Sequence, residues 1–252
     1  MPSRDELLAY LDELLSAREF DDYGPNGLQV PGAEEVGTVV TGVSAHHELF
    51  ERARDAGAQL VLCHHGIFWD SMPAAVSPAL KERLRLLFDA DMSLAAYHLP
   101  LDAHPEVGNN ALICDALGLE RAEPFATHRG RPIGIVGRAR EPVGFGELSE
   151  RCARVFGREP FVWDSGPDEV TSVGVISGGA AGDLSEAVAL GLDAFLTGEP
   201  AEFAMADARE AGIHFIAAGH YATETFGIRR LGELLAERYG VEHVFVDVPN
   251  PV

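Results

Sequence analysis

Hydrophobic positions change period in an orderly way along the chain. Leu7, Leu8, Leu11, Leu14 and Leu15 recur at helical spacing, which predicts an amphipathic first helix. Beyond it, short apolar runs rich in Val and Ile at residues 36–43, 59–63, 92–97, 133–137, 171–176, 193–197, 213–218 and 242–248 predict strands. Most are separated by helical patterns such as ELFERARDAG and LSEAVALG. Strands and helices in alternation predict an α/β fold, with mainly parallel sheets covered by helices on both faces.

The pattern also repeats. TVVTGVSAHHELFERARDAGAQLVLCHHG and TSVGVISGGAAGDLSEAVALGLDAFLTGEP both run strand, serine (Ser44 or Ser177), helix, glycine (Gly57 or Gly191), strand. The third strands continue the match, MSLAAYH ending at His98 and HFIAAGH at His220. Two similar βαβ-rich units follow, by duplication or because any two βαβ units share this pattern. The turn-forming, non-periodic stretch EPFATHRGRP puts the seam near residues 120–131, so the expected units are 1–125 and 126–252, with the functional site between them.

In parallel α/β sheets ligands gather at the carboxyl ends of strands, and three apolar runs end in metal-type side chains. LVLCHHGIFW ends in His64 and His65, which can reach one site only if the strand stops there and the backbone turns, as Gly66 permits. The alternative is two histidines hydrogen-bonded in separate places. In AAYHLPLDAHPEVGNN, His98, Asp102 and His104 follow a strand, and Pro100 and Pro105 hold the segment as a loop. His98 can be a ligand's orienting partner, and Asp102 a ligand or a helix cap. In IAAGHYATETFGIRRLGELL, His220 ends a strand with Glu224 four residues on; Glu224 alone is equally explained by a helix N-terminus. Histidines and carboxylates suit zinc, iron, manganese or cobalt. Two such ions about 3.5–4 Å apart can activate water and stabilise attacking and leaving oxygens.

Composition narrows the partners. Forty acidic against nineteen basic residues give a net charge of −21, with Lys81 the lone lysine, which argues against a nucleic-acid ligand. Acid-rich, lysine-poor composition points to a high-salt cytoplasm, where screening tames self-repulsion; a GC-rich genome gives the same bias. Cys63, Cys114 and Cys152 are widely spaced and form no CxxC pair, so reduced thiols are expected, Cys63 in the core. No apolar stretch is long enough for a membrane span, and the acidic N-terminus is unlike a signal peptide; a cytoplasmic protein is expected. SGGAAGD at 177–183 is either a tight turn or a weak anion cradle. Arg129 and Arg131 read as solvated charges or phosphate contacts, and His46 and His47 as surface residues opening a helix.

YGPNGLQV (23–30), LCHHGIFW (62–69), YHLPLDAHPEVGNN (97–110), TGE (197–199) and GHYATE (219–224) together resemble the YbgI-like, or NIF-three-like, dinuclear metal-centre proteins, often labelled GTP cyclohydrolase 1 type 2. The resemblance spans essentially the whole chain, with its motifs in order. It implies two metals held by His64, His65, Asp102, His220 and Glu224, a fold of two similar α/β units, and a ring-shaped homohexamer. The expected activity is that of a metal-dependent hydrolase of a small molecule, with Glu224 or Asp102 bridging or orienting and His98 available to carry protons, so that Glu224 and His98 are the candidate catalytic groups; the resemblance implies a nucleotide substrate if the label applies. The competing expectation is a non-catalytic metal-binding scaffold.

Overall fold

The computed structural model describes every residue except Ala74. In chain order the elements are α1 (Arg4–Leu14), β1 (Gly27–Val30), β2 (Thr38–Ser44), α2 (His47–Asp55), β3 (Leu60–His65), α3 (Pro78–Asp89), β4 (Ser93–Ala96), α4 (Leu99–Ala103) and α5 (Asn109–Leu117). Then come β5 (Glu120–His128), β6 (Arg131–Gly144), α6 (Phe145–Phe156), β7 (Phe161–Trp163), β8 (Glu169–Val175), α7 (Leu184–Ala189), β9 (Ala194–Thr197) and α8 (Ala204–Ala211). The chain ends with β10 (His214–Ala217), α9 (His220–Thr223), α10 (Thr225–Tyr239) and β11 (Glu242–Phe245). Helix starts obey local chemistry. Ser3 accepts a hydrogen bond from the Glu6 N–H to cap α1, and Ser77 does the same for Leu80 ahead of Pro78, at the head of α3 where its missing N–H costs nothing.

Two compact units result. The first comprises residues 1–101 and 227–248, the second residues 102–226 and 249–252. The expected seam at 120–131 therefore lies inside the second unit, where β5 and β6 pair as a hairpin. The chain also re-enters the first unit through α10, which period alone did not indicate.

The first unit's sheet has the order β1-β4-β3-β2-β11, parallel except for β1. Its inner strands are continuous apolar runs because both faces are covered; Val40, Val61, Cys63, Leu94 and Ala96 are buried with Leu49, Phe50 and Leu87 of the helices. The second unit's sheet is mixed, in the order β5-β6-β8-β9-β10-β7, with β8, β9 and β10 parallel and the outer pairings antiparallel. Its core joins Val173, Val175, Leu196 and Ile216 to Leu148 and Cys152 of α6 and to Ile113 and Leu117 of α5.

All three cysteines are buried and unbonded to one another. Burial pushes the Cys63 thiol far up, and the Cys114 and Cys152 thiols to about 12, so none is a thiolate near neutral pH. Among the described residues, no helix is long and apolar enough to cross a membrane.

Candidate metal centre

In the first unit β3 carries His64 and His65 at its end. Pairing with β4 stops at Cys63–Ala96, and the two histidine rings lie 4.7 Å apart although they are chain neighbours. His98, just past β4, completes a group of three rings, at 5.1 Å from His64 and 5.6 Å from His65. One nitrogen from each lies within 4.8 Å of the others. Gly66 serves this corner by its smallness. Its φ is not positive, but a Cβ there would collide with the Gln29 amide, whose oxygen accepts the Ile67 N–H at 2.9 Å.

Each ring is oriented through Nδ1. His64 is fully buried and faces the Tyr97 carbonyl at 2.9 Å; His65 faces Ser44 Oγ at 3.1 Å at the end of β2; His98 faces Asp22 Oδ1 at 2.7 Å. A carbonyl or carboxylate only accepts, so in the neutral ring Nδ1 of His64 and His98 carries the proton and Nε2 the lone pair, the form a metal requires. Burial works against the Asp22 charge, yet hydrogen bonds from His98, Asn26 and the Tyr23 N–H, with the charge of His98, hold its carboxyl below the usual range.

In the second unit Asp102 is buried in α4, one helical turn where a loop was expected. Pro100 falls in the first turn of that helix, where proline's missing N–H is harmless. Asp102 is not a helix cap, since Gly108 occupies that position for α5. Its Oδ1 accepts from Asn109 at 2.8 Å and from Ser177 Oγ at 2.9 Å. His104 is a turn residue whose Nδ1 accepts from the Glu106 and Val107 N–H groups.

His220 begins α9, and its Nε2 lies 3.1 Å from Glu224 Oε1, a buried carboxylate one turn on. Its Nδ1 is hydrogen-bonded to Glu199, just past the end of β9. Burial disfavours an imidazolium here, but the bonds and charges of Glu224 and Glu199 outweigh it and raise the His220 pKa to about 9. The Ser177–Gly178 turn links these groups. Ser177 binds Asp102, while a Cβ on Gly178 (φ +69°) would collide with Glu224 Oε1.

That turn is not an anion cradle. The N–H groups of Ser177, Gly178 and Ala180 donate to Asn110 Oδ1, Thr223 Oγ1 and Thr197 Oγ1 at 2.7–3.1 Å. Arg129 and Arg131 flank a hairpin turn, exposed Arg129 within it and Arg131 opening β6. His46 caps α2 and His47 sits exposed beside Glu51. Two residues of the site, Glu199 and Asp22, were not picked out from the sequence. The first was visible as the acidic end of the apolar run into TGE; the second gave no signal, since a lone Asp in an irregular stretch has no period.

Residues 2–251 match the Duf34/NIF3 (NGG1p interacting factor 3) family. A Pseudomonas aeruginosa protein named GTP cyclohydrolase 1 type 2 homolog is 43% identical over 245 residues, covering 97% of each chain. An Escherichia coli protein of the same name is 41% identical over 248 residues, covering 98% of each. The solved structure of protein ybgI matches with TM-score 0.94 at 40% identity, covering 99% of this chain and 100% of that one. A Thermus thermophilus structure matches with TM-score 0.89 at 36% identity and the same coverage.

Proposed function

The chain belongs to the Duf34/NIF3 family, and from that premise we propose that it is a metal-dependent hydrolase of a small molecule, with His64, His65, Asp102, His220 and Glu224 holding two divalent ions. The observation that carries this reading is donor chemistry. His64 is buried with its proton directed to a backbone carbonyl, so its lone pair lies on Nε2, and Asp102 and Glu224 are buried carboxylates. Imidazole and carboxylate donors fit zinc, iron, manganese or cobalt. Bound there, such ions supply Lewis-acid polarisation of the scissile group.

The chain's own groups position and hold protons. Ligation through His220 Nε2 requires that nitrogen to lose its proton, while Glu199 keeps Nδ1–H and the ring's orientation. Glu224 and Asp102 would hold the ions, and Ser177 and Asn109 fix the Asp102 carboxylate in place. The names of the relatives point to a nucleotide: one water adds to the imidazole-ring carbon of guanine and opens the ring to a formamide, and a second water hydrolyses that formamide, releasing formate and leaving the amine. A homohexamer belongs to the same proposal, on resemblance.

The test is to incubate metal-loaded protein with GTP and a panel of phosphoesters and assay formate and phosphate. Glu224→Ala is expected to lower turnover by about 100-fold or more. Turnover that survives the substitution unchanged defeats the site assignment. Two bound metals with no turnover on any substrate favour the non-catalytic scaffold instead.

A further inference from the structure

We propose that Tyr23 and Trp69 form an aromatic wall on which a planar heteroaromatic ring of the substrate stacks. This rests on the hydrolase reading above and deepens it: the wall selects the class of molecule on which the site acts.

Both rings stand on irregular segments that are locked to each other. The Asp70 N–H donates to the Tyr23 carbonyl at 2.7 Å. A Cβ on Gly24 would collide with the Phe68 carbonyl oxygen and reach the Trp69 ring at 3.5 Å, so residues 23–24 and 68–70 run in contact. The Trp69 Nε1–H donates to the Gly66 carbonyl at 3.1 Å, which fixes the indole. Gln29 ties the same two segments a second time, accepting the Ile67 N–H at 2.9 Å and donating to the Pro25 carbonyl at 2.8 Å. Aromatic side chains held in this way are pre-organised, and a ligand need not order them on binding.

Their surroundings suit a flat ring with polar edges. Trp69 meets His98 edge to face, with centroids 5.1 Å apart at 85°, and lies 5.7 Å from His65; Tyr23 lies 6.2 Å from His98 at 64°. Tyr23 is 39% exposed and Trp69 is half-buried, so neither ring is absorbed into the core. A lipid or other aliphatic chain calls for a concave apolar lining, whereas the neighbours here are imidazoles and the Asn26 and Gln29 amides. A heteroaromatic ring offers an apolar face for offset stacking and nitrogen or oxygen atoms at its rim for the polar groups. Because the wall adjoins His65 and His98, a ring stacked on it lies beside the histidine cluster, within reach of the candidate centre.

Trp69 and Trp163 are the chain's two tryptophans, so in a Trp163→Phe background the indole emission reports Trp69 alone. Metal-loaded protein of this background is titrated with guanosine and GTP, with ribose 5-phosphate as the ring-free control. Guanosine and GTP are expected to quench the emission saturably, and ribose 5-phosphate to leave it unchanged. Equilibrium dialysis with guanosine is expected to show affinity lowered about 5- to 100-fold in Trp69→Leu and in Tyr23→Leu, with Trp69→Phe restoring most of it and metal content at the wild-type level in all three. Circular dichroism establishes that each variant is folded; should Trp69→Leu fail to fold, Tyr23→Leu and the Trp69 emission decide.

Guanosine affinity unchanged in both leucine variants overturns the proposal, as does wild-type protein that binds neither guanosine nor GTP. Loss of metal from both leucine variants makes the rings structural and overturns it too. Emission that follows protein concentration instead of ligand gives the wall to a second copy of the chain. Turnover with unchanged ring binding removes the wall and keeps the hydrolase, while wall-dependent binding without turnover keeps the wall and removes the hydrolase.

Discussion

His128 shows how a single side chain couples this fold to pH. Its Nε2 lies 2.8 Å from Asp183 Oδ1, and the hydrogen bond and charge of Asp183 raise its pKa above 6.5 against the opposing effect of burial. A raised folded-state pKa means that the protonated pair stabilises the protein fully below about pH 6.5 and that this contribution disappears as pH rises through the folded value. The pair is partly exposed, so its contribution is no more than about 1 kcal/mol. Denaturant midpoints measured at pH 6 and pH 8.5 should therefore lie closer together in His128→Gln than in wild type. An unchanged gap would show that the pair contributes nothing.

The elements explain which parts of the fold could be read from sequence and which could not. Strand ends carry the candidate histidines, and inner parallel strands announce themselves as unbroken apolar runs; all eight predicted runs are strands. The three strands that went unpredicted are edges. β1 and β7 are only four and three residues long, and β5 opens with ERAEP, five exposed residues in which charge and a proline mask the strand. The hairpin after β5 turns on Arg129 and Gly130, both with positive φ, and an arginine at such a position gives no warning. With these strands in place the repeat grows to helix, strand, strand, helix, strand, helix, strand. α1 to β4 matches α6 to β10, and β1 pairs antiparallel with β4 as β7 does with β10. A glycine in the second copy tests how tightly a strand end positions a candidate ligand. A Cβ on Gly198, between β9 and Glu199, would lie 2.6 Å from both the Gly178 carbonyl and His220 Cα. Backbone cannot swing aside as a side chain can, so Gly198→Ala should cost about 1–3 kcal/mol of stability and displace His220. Equal melting temperature and equal metal content in the variant would contradict this.

Charge and connectivity act on the molecule as a whole. At −21 the protein repels itself, and salt shortens the reach of that repulsion to about 3 Å at 1 M, so stability should rise with KCl from dilute to molar concentration. Thermal melts across that range check it, and loss of structure in molar salt would refute it. Connectivity sets a different condition. β2 lies beside β3 on one side and β11 on the other, and β11, at residues 242–245, is made after nearly all of the second unit. The second unit is nearly continuous in sequence, lacking only residues 249–252 when residue 226 has been added. On the ribosome it can therefore fold while the earlier half still exposes the open edge of β2, TVVTGVS, a β-prone segment with no charge to deter pairing with another chain. The closing strand is thus also a guard against aggregation, and every nascent copy is exposed to that hazard until β11 emerges.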